Sequence, residues 1–291
     1  MKPSNFKYFS PESLDEALAL TAQHGSEAKL LAGGQSLIPA MNFRVMQPTV
    51  LVDLNRLDEL SYVHPQDSGG IQIGAMTRLR QLERDPFVAT RTPLMYAAVP
   101  HIAHVQIRNR GTVGGSLVHA DPAAELPVVT LALGARYRVQ SVNGARWIDS
   151  SVFFRGFFDT DMAPDEIMVE IEIPPMTART GFSFLEVSRR HGDYAMAGVA
   201  VVVTLDENGV CQYARLVYLN LGDAPVDAKV AASVLIGERP SQEICEAVAD
   251  AVIDGAIMPL GNVHASIAYQ QHLARVLTVR ALLQAFEEAG K

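Results

Sequence analysis

The stretch that decides the fold is "IRNRGTVGGSLVHADPAAELP", residues 107–127, which combines three glycines with hydroxyl residues, two acids and two prolines. Glycine has no Cβ, so the adjacent Gly114 and Gly115 allow a ligand to approach the backbone closely. Successive N–H groups at such a turn form a concavity that binds anions, and the hydroxyl of Ser116 adds a directional donor. The stretch predicts a phosphate-binding loop, followed by a short helix that ends at Gly134.

A second loop of the same chemistry occurs earlier, in "LAGGQSLIP" at residues 31–39, where Gly33 and Gly34 precede Ser36. Two such loops suit a diphosphate, because its two phosphate groups can be held from both sides. The chain has no G-x-x-x-x-G-K-[ST] sequence and no G-x-G-x-x-G that opens a helix in a βαβ unit. The loops therefore predict a dinucleotide site outside a Rossmann fold.

Composition narrows the class of protein. The 291 residues carry a formal net charge of -8 and are 48% hydrophobic, which is typical of a soluble globular protein and argues against a nucleic-acid partner. No run approaches the ~20 apolar residues that span a bilayer, and no signal peptide opens the chain, so we expect a cytoplasmic protein without membrane insertion. Cys211 and Cys245 lie far apart without a CxxC spacing and cannot assemble an iron–sulfur cluster.

The pattern of elements predicts an α+β protein of two domains. Ser13 and Glu16 have capping-box spacing at the start of a helix that Gly25 ends, and strands are expected at "AKLLAGG", "TVLVDL", "GIQIGAM", "ARYRVQS" and "IMVEIEIPP". Helices are expected at "TRLRQLERD" and "TPLMYAAVPHIAHV". After a double proline at 174 and 175, three strand runs and then two helices follow. We expect domains at 1–176, with subdomains 1–56 and 57–176, and at 177–291.

Four stretches together resemble a known family: "KLLAGGQSLIPAMNFRV", "QIRNRGTVGGSLVHADPAAELP", "RRHGDYAMAGVAV" and "HASIAYQQHLARVL". In this order they are similar to the motifs of the FAD-binding medium subunit of molybdenum hydroxylases, the xanthine and carbon monoxide dehydrogenase family. The resemblance implies a two-part FAD-binding domain of the vanillyl-alcohol-oxidase/PCMH type. A smaller α+β C-terminal domain, with a three-stranded sheet and helices, is implied to follow it.

The resemblance also implies which residues hold FAD. The diphosphate is expected against the first loop, formed by Lys29, Leu30, Leu31, Ala32, Gly33, Gly34, Gln35 and Ser36. It is expected to meet the second loop from the other side, through Thr112, Gly114, Gly115 and Ser116. The remaining implied contacts are Asp121 and Glu125 near the ribityl hydroxyls, Tyr194 near the flavin ring, and Ile102 and Ile167 lining the cofactor.

Taken alone, several of these residues have ordinary structural alternatives. Glu125 is equally suited to the first turn of a helix and Asp121 to its cap, and Tyr194 is typical of a core residue. Most relatives have Asp where this chain has Glu125, so the contact of this longer side chain is an open question. His101 and His104 lack a third ligand, so no metal site is predicted, and no residue is assigned as a catalytic acid, base or nucleophile.

The function implied by the resemblance is electron relay in a heteromeric oxidoreductase. A large subunit would carry molybdopterin, a small subunit would carry [2Fe-2S] clusters, and FAD in this chain would pass electrons to an external acceptor. Two alternatives stay open: a self-contained FAD oxidase or reductase of related fold, and a flavin-free assembly scaffold. We do not expect this chain to indicate the substrate of the complex, its electron acceptor or its stoichiometry.

Overall fold

The protein is described by a computed structural model that covers all residues from Met1 to Lys291. Its first part is a parallel three-stranded sheet in the order β1-β3-β2. The elements of this part are β1 (Lys7–Phe9), α1 (Leu14–His24), β2 (Ala28–Leu31), α2 (Leu37–Asn42) and β3 (Val50–Asp53), with a 3₁₀ turn at Gly25–Glu27. Because β2 and β3 are parallel, the segments that follow them leave the sheet at the same edge.

The predicted first helix is confirmed together with its caps. The Ser13 hydroxyl accepts a hydrogen bond from the Glu16 N–H at 3.2 Å, and Gly25 ends α1 with a φ of 49°. The Glu16 carboxylate accepts in return from the N–H of Glu12, one residue before the cap. Local sequence therefore sets both ends of α1.

The second part is an antiparallel five-stranded sheet in the order β4-β5-β10-β6-β7. Its strands are β4 (Val63–Pro65), β5 (Ile71–Gly74), β6 (Arg136–Ser141), β7 (Gly144–Asp149) and β10 (Ile167–Ile173). Between β7 and β10 lie α9 (Ser150–Phe153), β8 (Phe154–Gly156) and β9 (Asp159–Thr160). Earlier in this part, 3₁₀ turns lie at Asp58–Leu60, before β4, and at Val99–His101, between β5 and β6. The strands predicted at "GIQIGAM", "ARYRVQS" and "IMVEIEIPP" are confirmed as β5, β6 and β10.

A series of short helices fills the connection between β5 and β6, where two longer helices were predicted. They are α3 (Leu79–Leu82), α4 (Pro86–Arg91), α5 (Pro93–Ala98), α6 (Val105–Arg108), α7 (Val113–His119) and α8 (Glu125–Ala132). The second predicted helix ends at Ala98, before the 3₁₀ turn that contains Pro100, and Pro86 opens α4, a helix that was not predicted. Asp85 caps α4 by accepting hydrogen bonds from two N–H groups.

The third part is the antiparallel meander β11 (Thr180–Ser188), β12 (Ala195–Leu205) and β13 (Cys211–Leu219), as predicted, with helices beside it. A two-residue strand that was not predicted, β14 (Val226–Asp227), pairs with the edge of β13. The helices are α10 (Lys229–Ala232), α11 (Gln242–Gly255) and α12 (Ile267–Ala289), with a 3₁₀ turn at Ser233–Leu235.

Alternate residues of β12 belong to two different hydrophobic cores. Ala200 and Val202 join the core that contains the sheet of the second part, whereas Val199 and Val201 join the core formed with α11 and α12. Every residue of α8 is buried, and α8 contacts both β12 and β13. The third part is therefore packed against the second through α8, which places Glu125, the first residue of α8, at their junction.

Candidate functional site

The first glycine loop presents backbone donors that nothing in the chain uses. Gly34 has a φ of 72°, and the N–H groups of residues 33–36 have no hydrogen-bond acceptor in the chain. Beside them lies a cavity of about 320 Å³ lined by Leu31, Ala32, Gly33, Gly34, Gln35, Ile38, Pro39, Asp53, Asn55 and Arg110. Unpaired N–H groups that face a cavity are suited to an anionic ligand.

The second glycine loop is bonded differently. Its N–H groups are tied within the chain: Gly114 donates to the Ala75 carbonyl at 2.8 Å, Gly115 to the Thr112 hydroxyl at 3.1 Å, and Ser116 to the Thr112 carbonyl at 3.1 Å. Thr112 is the N-cap of α7 and is only 1% exposed. The two loops resemble each other in sequence, but the second is a rigid helix entry whose accessible part is Gly115 and Ser116.

The two loops touch each other. A Cβ on Gly33 would lie 2.5 Å from the Arg110 carbonyl oxygen and 2.7 Å from the Cα of Gly111. A Cβ on Gly115 would lie 3.4 Å from that of Ala32. Glycine is therefore required at position 33, since any side chain would push the loops apart.

A polar network that the sequence did not predict connects the two loops. The Asn55 amide donates to the Ala32 carbonyl at 2.8 Å and accepts from the Arg78 guanidinium at 2.6 Å. Arg78 also donates to the carbonyl of Arg110, so it connects the first loop to the second. Asp53 orients Asn55 and accepts from the Tyr8 hydroxyl at 2.6 Å. Asp53 and Asn55 lie at the end of β3, which is parallel to β2, and their polar character was the sequence signal for this part of the network.

The same network supplies positive charge to the cavity. Neither Arg78 nor Arg110 forms a salt bridge. Burial and then the positive charge of Arg110 lower the pKa of Arg78, although an arginine remains cationic at neutral pH. Asp53 also lines the cavity, and its negative charge acts on Arg78. Two arginines and one carboxylate leave the surroundings of the cavity positive, in a chain whose net charge is -8.

A second set of predicted residues gathers where α7 turns into α8. Ala120 has a φ of 50°, and the Asp121 carboxylate accepts from the Ala123 N–H at 2.9 Å, just before α8 begins. Tyr194 is 71% exposed, yet partial desolvation and then the charges of Asp121 and Glu125 raise the pKa of its hydroxyl. Asp121, Glu125 and Tyr194 thus form one group, and Tyr194 lies on the surface, where the alternative of a core position was wrong.

Glu125 is an unusual member of this group. It is 8% exposed, forms no salt bridge and receives no hydrogen bond from another residue. Burial, followed by the negative charge of Glu186, raises the pKa of Glu125 to about 8. It lies in the first turn of α8, as the structural alternative predicted, but its side chain has no partner in the chain.

The two isoleucines and Lys29 have different surroundings. Ile102 is 9% exposed, and its carbonyl accepts from the Arg108 guanidinium at 2.8 Å. Ile167 is 1% exposed in the core under the first sheet, against which Leu30 and Ala32 also pack, so it supports the base of the first loop. The Lys29 side chain points to solvent from β2. The ammonium group of Lys29 is therefore turned away from the first loop.

Two other types of feature are absent from the structure. No group of three or more His, Cys, Asp or Glu side chains is arranged to hold a metal ion. None of the helices combines the length and apolar character needed to cross a membrane.

Comparison with known proteins places the chain in a family. Residues 4–176 match the FAD binding domain in molybdopterin dehydrogenase, and residues 182–285 match the CO dehydrogenase flavoprotein C-terminal domain. The chain is 42% identical to the 6-hydroxypseudooxynicotine dehydrogenase complex subunit alpha of Paenarthrobacter nicotinovorans, covering 99% of this chain and 97% of that subunit. It is 37% identical to the carbon monoxide dehydrogenase medium chain of Hydrogenophaga pseudoflava, covering 97% of each.

The fold gives the same result. The structure of carbon monoxide dehydrogenase from Hydrogenophaga pseudoflava matches with a TM-score of 0.95 and 37% identity over 99% of both chains. The predicted two-part FAD-binding fold with a smaller C-terminal domain is therefore confirmed. The chain belongs to the FAD-binding medium subunits of the molybdenum hydroxylases, and it is the flavoprotein component of a heteromeric oxidoreductase.

Proposed function

We propose that this chain binds the diphosphate of FAD in the cavity beside the first glycine loop. The observation that carries the proposal is the row of unused N–H groups at residues 33–36, beside a cavity lined by Arg110, to whose carbonyl Arg78 is bonded. A diphosphate supplies the acceptors and the negative charge that such a site lacks. Of the first-loop residues 29–36, Leu31 to Gln35 line this cavity, and Thr112, Gly114, Gly115 and Ser116 are proposed to lie on the other side of the diphosphate.

The proposed roles of the two loops differ. The first loop donates backbone hydrogen bonds, because its N–H groups have no other acceptor. The second loop lies on the other side of the diphosphate. Gly115 allows the diphosphate to approach the backbone closely, and the Ser116 hydroxyl, which has no partner in the chain, donates to a phosphate oxygen. A site held by backbone groups and two arginines binds a diphosphate without a P-loop lysine.

The remaining residues are proposed to contact the rest of the cofactor. Asp121 and Glu125 face the ribityl hydroxyls, Tyr194 and Ile102 lie beside the flavin ring, and Ile167 fixes the base of the first loop. A carboxyl group suits a polyol because it can form more than one hydrogen bond with neighbouring hydroxyls. An aromatic and an aliphatic side chain suit the face and edge of a flat ring system.

Bound FAD supplies the redox chemistry, because it exchanges electrons singly or in pairs. We infer that the chain works beside a large molybdopterin subunit and a small [2Fe-2S] subunit, from which electrons reach this site and leave to an external acceptor. Cys211 and Cys245 are both buried and lie on separate elements, β13 and α11, which supports placing the clusters in a partner. We place this complex in the cytoplasm.

The proposed domain division follows the same interpretation. A boundary after residue 176, in the segment between β10 and β11, agrees with the limits of the two family matches. A boundary after residue 56 separates the parallel sheet from the antiparallel one. Ile167 and Val169 of β10 pack into the core of the first sheet, so the two FAD-binding subdomains share a hydrophobic core.

The test is selectivity among flavins. Binding of FAD, FMN and riboflavin to the full chain is measured by quenching of flavin fluorescence. Because the diphosphate carries the proposed contacts, we expect FAD to bind at least about a hundredfold more tightly than FMN, or about 2.7 kcal/mol. Equal affinities for FAD and riboflavin would contradict the proposal. A folded chain that binds none of the three would favour the scaffold alternative.

A further inference from the structure

One asparagine joins two segments of the proposed site that lie far apart in the sequence. Asn220, which directly follows β13, donates its backbone N–H to the Pro122 carbonyl at 2.8 Å. Its side-chain amide donates to the Ala195 carbonyl at 2.6 Å. Pro122 follows Asp121, and Ala195 follows Tyr194. Asn220 therefore holds together the backbone next to two residues that are proposed to contact the cofactor.

The backbone conformation at this position suits asparagine. Asn220 has a φ of 56°, in the left-handed region, which asparagine tolerates better than most residues that have a Cβ. Glycine adopts this conformation more readily, but it has no side-chain donor. Asparagine therefore combines the turn that follows β13 with an amide that bonds the start of β12.

A buried glutamine holds Asn220 in turn. Gln270, in the first turns of α12, is 1% exposed. Its Nε2 atom donates to the carbonyls of Asn220 at 2.9 Å and Met196 at 3.0 Å, and its Oε1 atom accepts from the N–H of Gly261 at 2.9 Å. The Met196 carbonyl also accepts from the Asn220 amide at 3.3 Å. Because both amide hydrogens and the oxygen of Gln270 are used, the orientation of this buried side chain is fixed.

The side chains of Tyr194 and Asp121 do not fix each other. Tyr194 is 71% exposed and its hydroxyl forms no hydrogen bond, whereas the Asp121 carboxylate accepts from the Ala123 N–H within its own turn. No hydrogen bond joins the two segments directly. Their relative position therefore depends on the bonds that pass through Asn220.

We propose that Asn220 and Gln270 are positioning residues for the flavin end of the site, which receives the isoalloxazine ring and the ribityl chain. They fix Tyr194 relative to Asp121. The inference rests on the proposed function, in which these two side chains contact that end of FAD. The glycine loops at the diphosphate end share no hydrogen bond with either positioning residue. Loss of the Asn220 amide should therefore weaken contacts to the flavin end alone.

Asn220→Gly tests this separation, because glycine keeps the positive φ and the backbone bonds to Pro122 and Gln270 but removes the amide. Calorimetry measures binding of FAD and of ADP, which has the diphosphate but no flavin ring, to the full chain isolated from its native host and freed of FAD. The dissociation constant should rise about tenfold for FAD and less than about twofold for ADP. Asn220→Asp, whose carboxylate cannot donate at neutral pH, should show the same difference.

The visible circular dichroism of bound FAD gives an independent readout, because it reports the surroundings of the flavin ring. At saturating FAD the spectrum should change in Asn220→Gly and in Gln270→Met, which replaces the amide by an unbranched apolar side chain. Asn143→Gly is the matched control: Asn143 lies in the exposed turn between β6 and β7, and its side chain forms no hydrogen bond. This control should leave the spectrum and both dissociation constants unchanged.

The possible results separate the positioning role from the proposed function. Equal losses of FAD and ADP affinity in Asn220→Gly would show a general structural role and overturn the proposal. An unchanged visible spectrum of Asn220→Gly at saturating FAD would overturn it whatever the affinities. A wild-type chain that binds neither FAD nor ADP would instead refute the proposed function.

Discussion

At the scale of single residues, the proposed site depends on the absence of a side chain at Gly33, on N–H groups without acceptors and on two arginines without salt bridges. Gly33 lacks the Cβ that would collide with the Arg110 carbonyl, and the N–H groups that follow it lack acceptors. Glycine pairs before a serine were visible in the sequence, so both loops were predictable. Arg78 was not, because nothing local indicates that it joins segments 23 and 32 residues away.

Gly33→Ala tests the close approach of the two loops. The added Cβ would lie 2.5 Å from the Arg110 oxygen, so the loops must separate, and we expect FAD affinity to fall at least about tenfold. The measurement is FAD per chain after purification, together with a fluorescence titration. Gly255→Ala is the matched control: nothing lies within 4 Å of its Cβ, and it should bind FAD normally. Equal FAD content in both variants would contradict the account.

Arg78→Lys tests the connection beneath the loops. A lysine keeps the positive charge but cannot reach both the Arg110 carbonyl and the Asn55 amide as the planar guanidinium does. We expect FAD affinity to fall by about tenfold, with a smaller change in melting temperature. Arg56→Lys, at an exposed salt bridge with Glu12, should have no effect on either quantity. If charge alone mattered, Arg78→Lys would bind FAD as the wild type does.

The burial of Glu125 predicts a dependence of stability on pH. Its pKa is about 8 in the folded chain and 4.5 as the ordinary value, so the folded state binds more protons between these values. The contribution of Glu125 to the free energy of unfolding should therefore be full below pH 4.5, decrease as the pH rises to about 8, and then level off. Denaturant unfolding of the wild type and Glu125→Gln from pH 5 to 9 isolates this contribution. Parallel profiles of the two proteins would refute it.

At the scale of elements, the helices and strands predicted correctly are those whose boundary signals lie within their own sequence. The capped helix α1 and the three long strands β11, β12 and β13 were predicted because caps, turns and apolar runs lie within each segment. The helices between β5 and β6 were predicted too long: they span Leu79–Leu82 and Pro93–Ala98, and the second ends before the 3₁₀ turn that contains Pro100. The contact of Glu186 with His101 was not predictable, because it joins β11 to the 3₁₀ turn at Val99–His101, which lies far away in the sequence.

Gly181→Ala tests the packing of β11 against the C-terminal helix. A Cβ on Gly181 would overlap the Ala285 carbonyl of α12, which backbone atoms cannot relieve without a shift of the helix. We expect a loss of about 1–3 kcal/mol in the free energy of unfolding, typical of an overpacked core. Gly290→Ala, whose Cβ would have contacts no closer than 3.5 Å, is the control and should change stability little. A loss as large in the control would show that this packing is not the cause.

At the scale of the whole molecule, the proposed FAD site draws on all three parts of the chain. The parallel sheet carries the first loop, the helices of the second part carry the second loop, and Tyr194 precedes β12 of the third part. The family and the order of its parts were predictable, because four motifs run in sequence along nearly the whole chain. The substrate was not predictable, since no residue of this chain is assigned to bind it.

The most direct test of the central claim is to isolate the tagged chain from its native host and determine its cofactors. The account predicts about one FAD per chain, together with a large partner that contains molybdenum and a small partner that contains iron and acid-labile sulfide. It also predicts that variants such as Gly33→Ala lose FAD but keep their partners. A folded chain that is isolated alone, without flavin, and that does not take up added FAD would contradict the account.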